Sequence, residues 1–196
     1  MDQDEFDERT RQAIELFHVI ANAANQHEWR LAFLSGFAID AHLGRLTRAH
    51  ADVDVMLPEK EARQLAAHLE SAGHHVDEPE ELRDECLKVN TLDPEKPMSA
   101  LCDIHFFYEE KGKAVIPLAG KKLAFSAPFA AMVERKNFLG ESVSVLKPAY
   151  LLEEKIGWCE QVGLDRCRTE PEVYASEIEK IKALAHPAGL RGTQHG

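Results

Sequence analysis

The chain contains no apolar run long enough to cross a membrane, and its first residues, MDQDEFDERTRQ, lack the basic region and hydrophobic core of a signal peptide. A cytoplasmic protein with no membrane partner is expected. Its four cysteines, Cys86, Cys102, Cys159 and Cys167, include no Cys-x-x-Cys pair and stand in apolar or helical surroundings, so free, reduced thiols are expected rather than a disulfide framework. His74-His75 has no second pair at ligand spacing, which argues against zinc. Basic residues are in deficit: 23 Lys and Arg against 34 Asp and Glu leave a formal net charge of −11. That balance disfavours a nucleic-acid backbone as partner and permits a cationic one. Internal repeats and low-complexity stretches are absent.

What remains is a globular composition, 44% hydrophobic and 29% charged over 196 residues, enough for one medium domain or one domain with a small appendage. Helical spacing of Phe6, Ile14, Phe17, Ala21 and Ala24 predicts an amphipathic helix from Asp4 to about His27. A short buried strand, Trp29 to Leu34, runs into Ser35-Gly36 and a short helix, Phe37 to Leu43, stopped by Gly44. After the next strand, Pro58 opens a helix through Ser71, and His74 to Val76 returns to the sheet. Cys86 to Leu92 alternates like an exposed antiparallel strand, and Ala100 to Phe107 is a further strand with Asp103 inside it. Short β segments follow to about Phe125, Ser126 to Phe138 reads as mostly helical, and Val143 to Leu146 as a strand. Helices from Pro148 to about Val162 and from Glu172 to about Leu184 close the chain, with a frayed tail after Pro187. The pattern is α/β (α+β), with a core over residues 1–146 and a small C-terminal helical part and tail over 147–196.

The chain is organised around Leu34 to Leu57, LSGFAIDAHLGRLTRAHADVDVML. Val53, Val55 and Leu57 fall on one face of its terminal strand and Asp52 and Asp54 on the other, roughly 7 Å apart at Cα by strand rise. Two carboxylates side by side repel unless a cation sits between them, so this arrangement asks for a metal. Asp103 from the later strand completes a three-carboxylate set suited to Mg²⁺. A glycine at a strand-to-helix turn lets backbone N–H groups approach a phosphate, with the helix N-terminus adding partial positive charge. His105 shares a face with Asp103 and reads as a satisfied core histidine, or as a group orienting Asp103.

Ser35-Gly36, then Asp52-x-Asp54, then an acid on a later strand resembles the minimal nucleotidyltransferase superfamily. More narrowly, GFAIDAHLGRLTRAHADVDV is similar to the small aminoglycoside and lincosamide nucleotidyltransferases, whose pattern is Gly-Gly-x-Ala-x-Asp, Leu-Gly-Arg, Thr-Arg, His and Asp-x-Asp. Outside that stretch the likeness rests on Asp103 and on KPAYLLEEK, residues 147–155, which resembles the family's helix start after the core.

The resemblance implies a nucleotidyltransferase-like mixed sheet flanked by helices. It implies that Ser35 and Gly36 hold nucleotide phosphates, that Asp52, Asp54 and Asp103 bind two Mg²⁺, and that Asp103 alternatively acts as general base. Arg45 and Arg48 would bridge triphosphate oxygens or neutralise neighbouring acids, and Lys155 would reach a phosphate from the helical part. Asp40 and His50 match the motif, the histidine as a structural residue. The implied reaction moves a nucleoside monophosphate, AMP by preference from ATP, to a hydroxyl of a small molecule, such as an aminoglycoside-type antibiotic, releasing pyrophosphate. Glu153, Glu154, Glu160 and Asp165 would recognise the acceptor's ammonium groups. One departure stands out: Ser35 replaces the first glycine, offering a hydroxyl donor where bare backbone is usual. The alternatives are an antitoxin-like nucleotidyltransferase that modifies a protein partner, and a degenerate nucleotide-binding module without catalysis.

Overall fold

A computed structural model describes residues 8–78, 80, 85–90, 100–118, 120–162 and 171–185. Helix α1 (Glu8–His27) turns Ala13, Leu16, Phe17 and Ile20 inward. The Phe17 ring lies 4.8 Å from Phe33, 5.3 Å from Phe37 and 5.6 Å from Phe138, joining four separate segments in one apolar centre. Strand β1 is only Ala32–Phe33, because α2 (Ser35–Leu43) begins at once. Then come β2 (Val53–Pro58), α3 (Glu59–Ser71), β3 (His75–Asp77), β4 (Cys86–Asn90) and β5 (Ala100–Glu110). The chain continues as β6 (Lys113–Leu118), β7 (Lys121–Ala124), α4 (Phe129–Met132), β8 (Val133–Phe138), β9 (Glu141–Leu146), α5 (Pro148–Gly157), a π-helical turn (Trp158–Val162) and α6 (Pro171–Ala185).

Seven strands lie in the order β3-β4-β5-β2-β1-β9-β8, and the far end of β5 pairs with β6, which pairs with β7. The pairs β2/β5 and β1/β9 are parallel and the other neighbours antiparallel. This is the expected mixed sheet flanked by helices. No helix among the described residues is long and apolar enough to cross a membrane.

Two expectations are corrected. Residues 126–138 are not mostly helical: the helix is the four-residue α4, and Val133–Phe138 is a strand paired along its length with β9. Ala, Met, Glu, Arg and Lys are good helix formers, but pairing with β9 and the burial of Phe138 override that local preference. Strand β4 is not exposed either. It lies between β3 and β5, and Cys86, Leu87 and Val89 are all buried. Residues 1–7, 91–99, Asp165, Cys167 and the tail after Pro187 lie outside the described residues.

Candidate active site

Parallel pairing of β2 with β5 places Asp54 directly opposite Asp103, and antiparallel pairing of β4 with β5 places Lys88 on the other side of Asp103. Two carboxylates 49 residues apart are thereby brought onto one sheet face. Lys88 Nζ donates to both Asp103 oxygens, at 2.9 and 3.2 Å. Asp52, just before β2, is partly buried and close enough to raise the proton affinity of Asp54. His105, two residues along β5, sets Nε2 4.0 Å from Asp54 Oδ1. Its Nδ1 is buried with no hydrogen-bond partner among the described residues, its ring stands 5.3 Å from that of Trp158, and burial lowers its pKa. The expectation of a satisfied core histidine is therefore not met.

Burial pushes the Asp54 carboxyl up to about 8, and the charges of Asp52, Asp103 and Glu154 push in the same direction. Such a site is short of positive charge. Ligand atoms of Asp54, Asp103 and His105 lie within 4.8 Å of one another, so the donor set fits a divalent cation that accepts carboxylate oxygen with a single imidazole nitrogen. Nucleophilic thiol chemistry is disfavoured beside it, since burial raises the pKa of both Cys86 and Cys102.

The strand-to-helix turn adjoins these acids: the Leu34 N–H bonds the Asp54 carbonyl at 2.9 Å. Ser35 adopts φ +48°, the left-handed conformation that glycine takes without cost. Its hydroxyl donates to Glu154 Oε1 at 2.7 Å, and the same oxygen accepts from Trp158 Nε1 at 2.9 Å. Gly36 has no room for a side chain. A Cβ there would stand 2.7 Å from Arg48 Nη2 and 2.8 Å from His50 Cε1.

Around the turn lie the cations. Arg48 Nη2 and Lys155 Nζ each lie 2.9 Å from an oxygen of Glu177 on α6, and Lys155 Nζ is 3.4 Å from Ser35 Oγ. Lys155 is buried; burial opposes its charge, but Glu154 and Glu177 outweigh that and keep it protonated. Asp40 accepts from Thr47 Oγ1 at 2.6 Å and lies 2.7 Å from His50 Nε2, so this motif pair braces the loop that carries Arg48.

Of the residues singled out in the sequence, Ser35, Gly36, Asp52, Asp54, Asp103, Arg48 and Lys155 come together. Arg45 does not: its side chain is exposed, and no hydrogen bond or ion pair among the described residues joins it to the site. Two of the four acids expected to face an acceptor are spent elsewhere. Glu154 is fully buried against Ser35, Glu153 accepts from the Ser126 N–H and hydroxyl at 2.8 and 2.5 Å, and only Glu160 among those described is exposed. Lys88, Glu177 and Trp158 escape a reading of the sequence. Lys88 carries a faint signal in its strand alternation, whereas Glu177 carries none, standing 129 residues from Arg48.

A family model described as aminoglycoside-2''-adenylyltransferase matches residues 16–165. A 2''-aminoglycoside nucleotidyltransferase of Klebsiella pneumoniae is 40% identical over 65 residues, 33% of this chain and 37% of that protein. One of Escherichia coli is 40% identical over 63 residues, 32% of this chain and 36% of that protein. The chain thus aligns with a little over a third of the length of these curated relatives. Among solved structures, the lincomycin-bound lincosamide adenylyltransferase LnuA has a TM-score of 0.61 at 14% identity, covering 91% of this chain and 98% of that one. The complex of ANT(2'')-Ia with adenylyl-2''-tobramycin has a TM-score of 0.57 at 22% identity, covering 90% and 96%. At these identities the structural likeness shows a shared fold.

Proposed function

Because the chain belongs to the aminoglycoside-2''-adenylyltransferase family, we propose that it transfers AMP from ATP to a hydroxyl of an aminoglycoside-type antibiotic, releasing pyrophosphate. The observation that carries this reading is the register that sets Asp54 opposite Asp103 beside a glycine turn flanked by Arg48 and Lys155. The surplus of acid over base, −11 overall, favours approach of a polycationic acceptor.

Asp52, Asp54 and Asp103 would hold two Mg²⁺ ions in this reading; ligand atoms of Asp54 and Asp103 cluster with that of His105, and Asp52 stands beside them. When bound, such ions lower the pKa of an attacking hydroxyl and neutralise charge on a leaving oxygen. Gly36, with no Cβ, leaves room for Arg48 Nη2 to lie against the turn, and Arg48 and Lys155 offset the charge of the triphosphate in this reading. In the alternative in which Asp103 serves as general base rather than as a metal ligand, it accepts the proton of the acceptor hydroxyl on an oxygen that Lys88 releases. The acceptor oxygen bonds to the α-phosphorus as the bond to pyrophosphate breaks, and catalysis is positioning plus charge compensation.

The test is to incubate the protein with Mg²⁺, each NTP and a panel of aminoglycosides and lincosamides, reading pyrophosphate and a mass gain of one nucleotide on the acceptor. Adenylylated aminoglycoside is the expected product. Equal product from wild type and Asp54→Asn would sink the carboxylate mechanism, and nucleotide binding without turnover would select a non-catalytic module.

Ser35→Gly separates the two things serine does. The substitution relieves a left-handed residue, worth about 1–2 kcal/mol, and removes the charge-assisted hydrogen bond to Glu154, worth about 1.5–3 kcal/mol, together with the long 3.4 Å contact from Lys155 Nζ. The two nearly offset, so urea unfolding should place the variant within about 1 kcal/mol of wild type. Its turnover should stay within about threefold, since the hydroxyl already serves Glu154. A far larger loss of turnover would mean that the hydroxyl serves the nucleotide.

A further inference from the structure

Glu177 is a buried carboxylate on α6, and it meets two cations at once. Its Oε1 accepts from Arg48 Nη2 and its Oε2 from Lys155 Nζ, both at 2.9 Å, so each oxygen holds one positive group. Burial works against the charge of Glu177, yet Lys155 and Arg48 outweigh it and hold its carboxyl below the usual range. Both cations belong to the turn at their other contacts. Lys155 Nζ reaches Ser35 Oγ, and Arg48 Nη2 occupies the space over Gly36.

We propose that Glu177 is a positioning residue for the nucleotide, a carboxylate from the C-terminal helix that fixes the spacing of Arg48 and Lys155 beside the Ser35-Gly36 turn. The proposal rests on the reading above, in which that turn takes the triphosphate. Arg and Lys side chains are rich in rotamers, and a cation that must be ordered on binding gives up part of its interaction energy. Arg48 is partly exposed at the end of its side chain, so without Glu177 it loses its ion-pair anchor and keeps the bond from Nη1 to the Ala49 carbonyl. Two cations held by one carboxylate form a trio of formal charge +1, which Glu154 on the Ser35 hydroxyl offsets, so the trio serves to place the two cations rather than to add net charge at the turn. Glu177 touches neither nucleotide nor acceptor in this scheme and acts only through the two cations.

The experiment compares full-length wild type, Glu177→Gln and Glu177→Asp. Glutamine keeps the shape and loses the charge, while aspartate keeps the charge on a side chain one methylene shorter. ATP affinity is measured by calorimetry with Mg²⁺ and without acceptor, alongside KM for ATP, KM for an aminoglycoside, and the melting temperature. Glu177→Gln should raise both the Kd and the KM for ATP by about tenfold, the scale of one charge-assisted hydrogen bond, and leave the acceptor KM within about twofold. Glu177→Asp should recover part of that loss. Unchanged ATP binding, tighter ATP binding, or a fall in melting temperature that shifts both KM values alike would each overturn the proposal, the last by making Glu177 a brace for α6. Wild-type protein that binds no nucleotide would sink the parent reading and this one with it. Wild-type binding that neither variant alters would sink this one alone.

Discussion

Asp54→Asn is expected to cut nucleotidyl transfer by about a thousandfold or more and, at the same time, to raise the melting temperature of the metal-free protein. The two effects share one cause. Asp54 is crowded by Asp52, Asp103 and Glu154 in a half-buried position, and its pKa rises to about 8, above its value of 3.8 in the unfolded chain. A carboxyl whose proton affinity is higher in the folded state contributes stability that is fully present below about pH 4 and is lost as pH rises through about 8. Asparagine carries no charge at any pH, so the melting advantage of the variant over wild type should be small at pH 5 and grow towards pH 8. A saturating divalent ion should reverse the order by stabilising wild type and leaving the variant unmoved. Calorimetric melts at pH 5 and 8, with chelator and with Mg²⁺ or Mn²⁺, read both parts. A variant less stable than wild type at pH 8 in chelator would show that the acidic cluster is not strained.

Gly36→Ala should destabilise the fold by about 2 kcal/mol, a fall of roughly 4 to 8 °C in melting temperature, and weaken ATP binding. The added Cβ meets Arg48 Nη2 at 2.7 Å and His50 Nδ1 at 2.9 Å. Arg48 is a flexible side chain and can swing aside. His50 cannot: it is buried, its Nε2 is 2.7 Å from the buried Asp40, and its ring lies 4.4 Å from that of Phe37. The histidine therefore sets the stability cost, and the displaced arginine sets the binding cost. Thermal melts and an ATP titration of the same preparation check the pair. An alanine variant that matches wild type in both would remove the argument for close approach at this turn.

Both substitutions fall in the two dozen residues whose local geometry is legible from the order of the amino acids. Spacing alone places Ser35-Gly36 between a strand and a helix and puts Asp52 and Asp54 on the wet side of a strand, because side-chain direction along a strand follows from local backbone geometry. Where a longer-range contact competes with local preference, the sequence misleads. The helix-forming residues of β8 pair with β9, and Glu153 and Glu154 turn inward to Ser126 and Ser35. Serine at position 35 reads as a departure that could alter nucleotide binding. Its backbone adopts the glycine-like φ and its hydroxyl is taken by Glu154, so the departure is accommodated within the fold.

The sequence by itself determined the turn, the Asp-x-Asp strand, the third acid and the mixed α/β order, since each depends on neighbours within a few residues. Only the tertiary structure decided that Asp103 pairs with Asp54 and with Lys88, that His105 joins the cluster with a nitrogen unpaired among the described residues, and that Glu177 ties Arg48 to Lys155. Those are contacts between strands in register and between helices far apart in the chain. Register and helix docking are set by the summed burial of the apolar faces, to which no single residue's neighbours point.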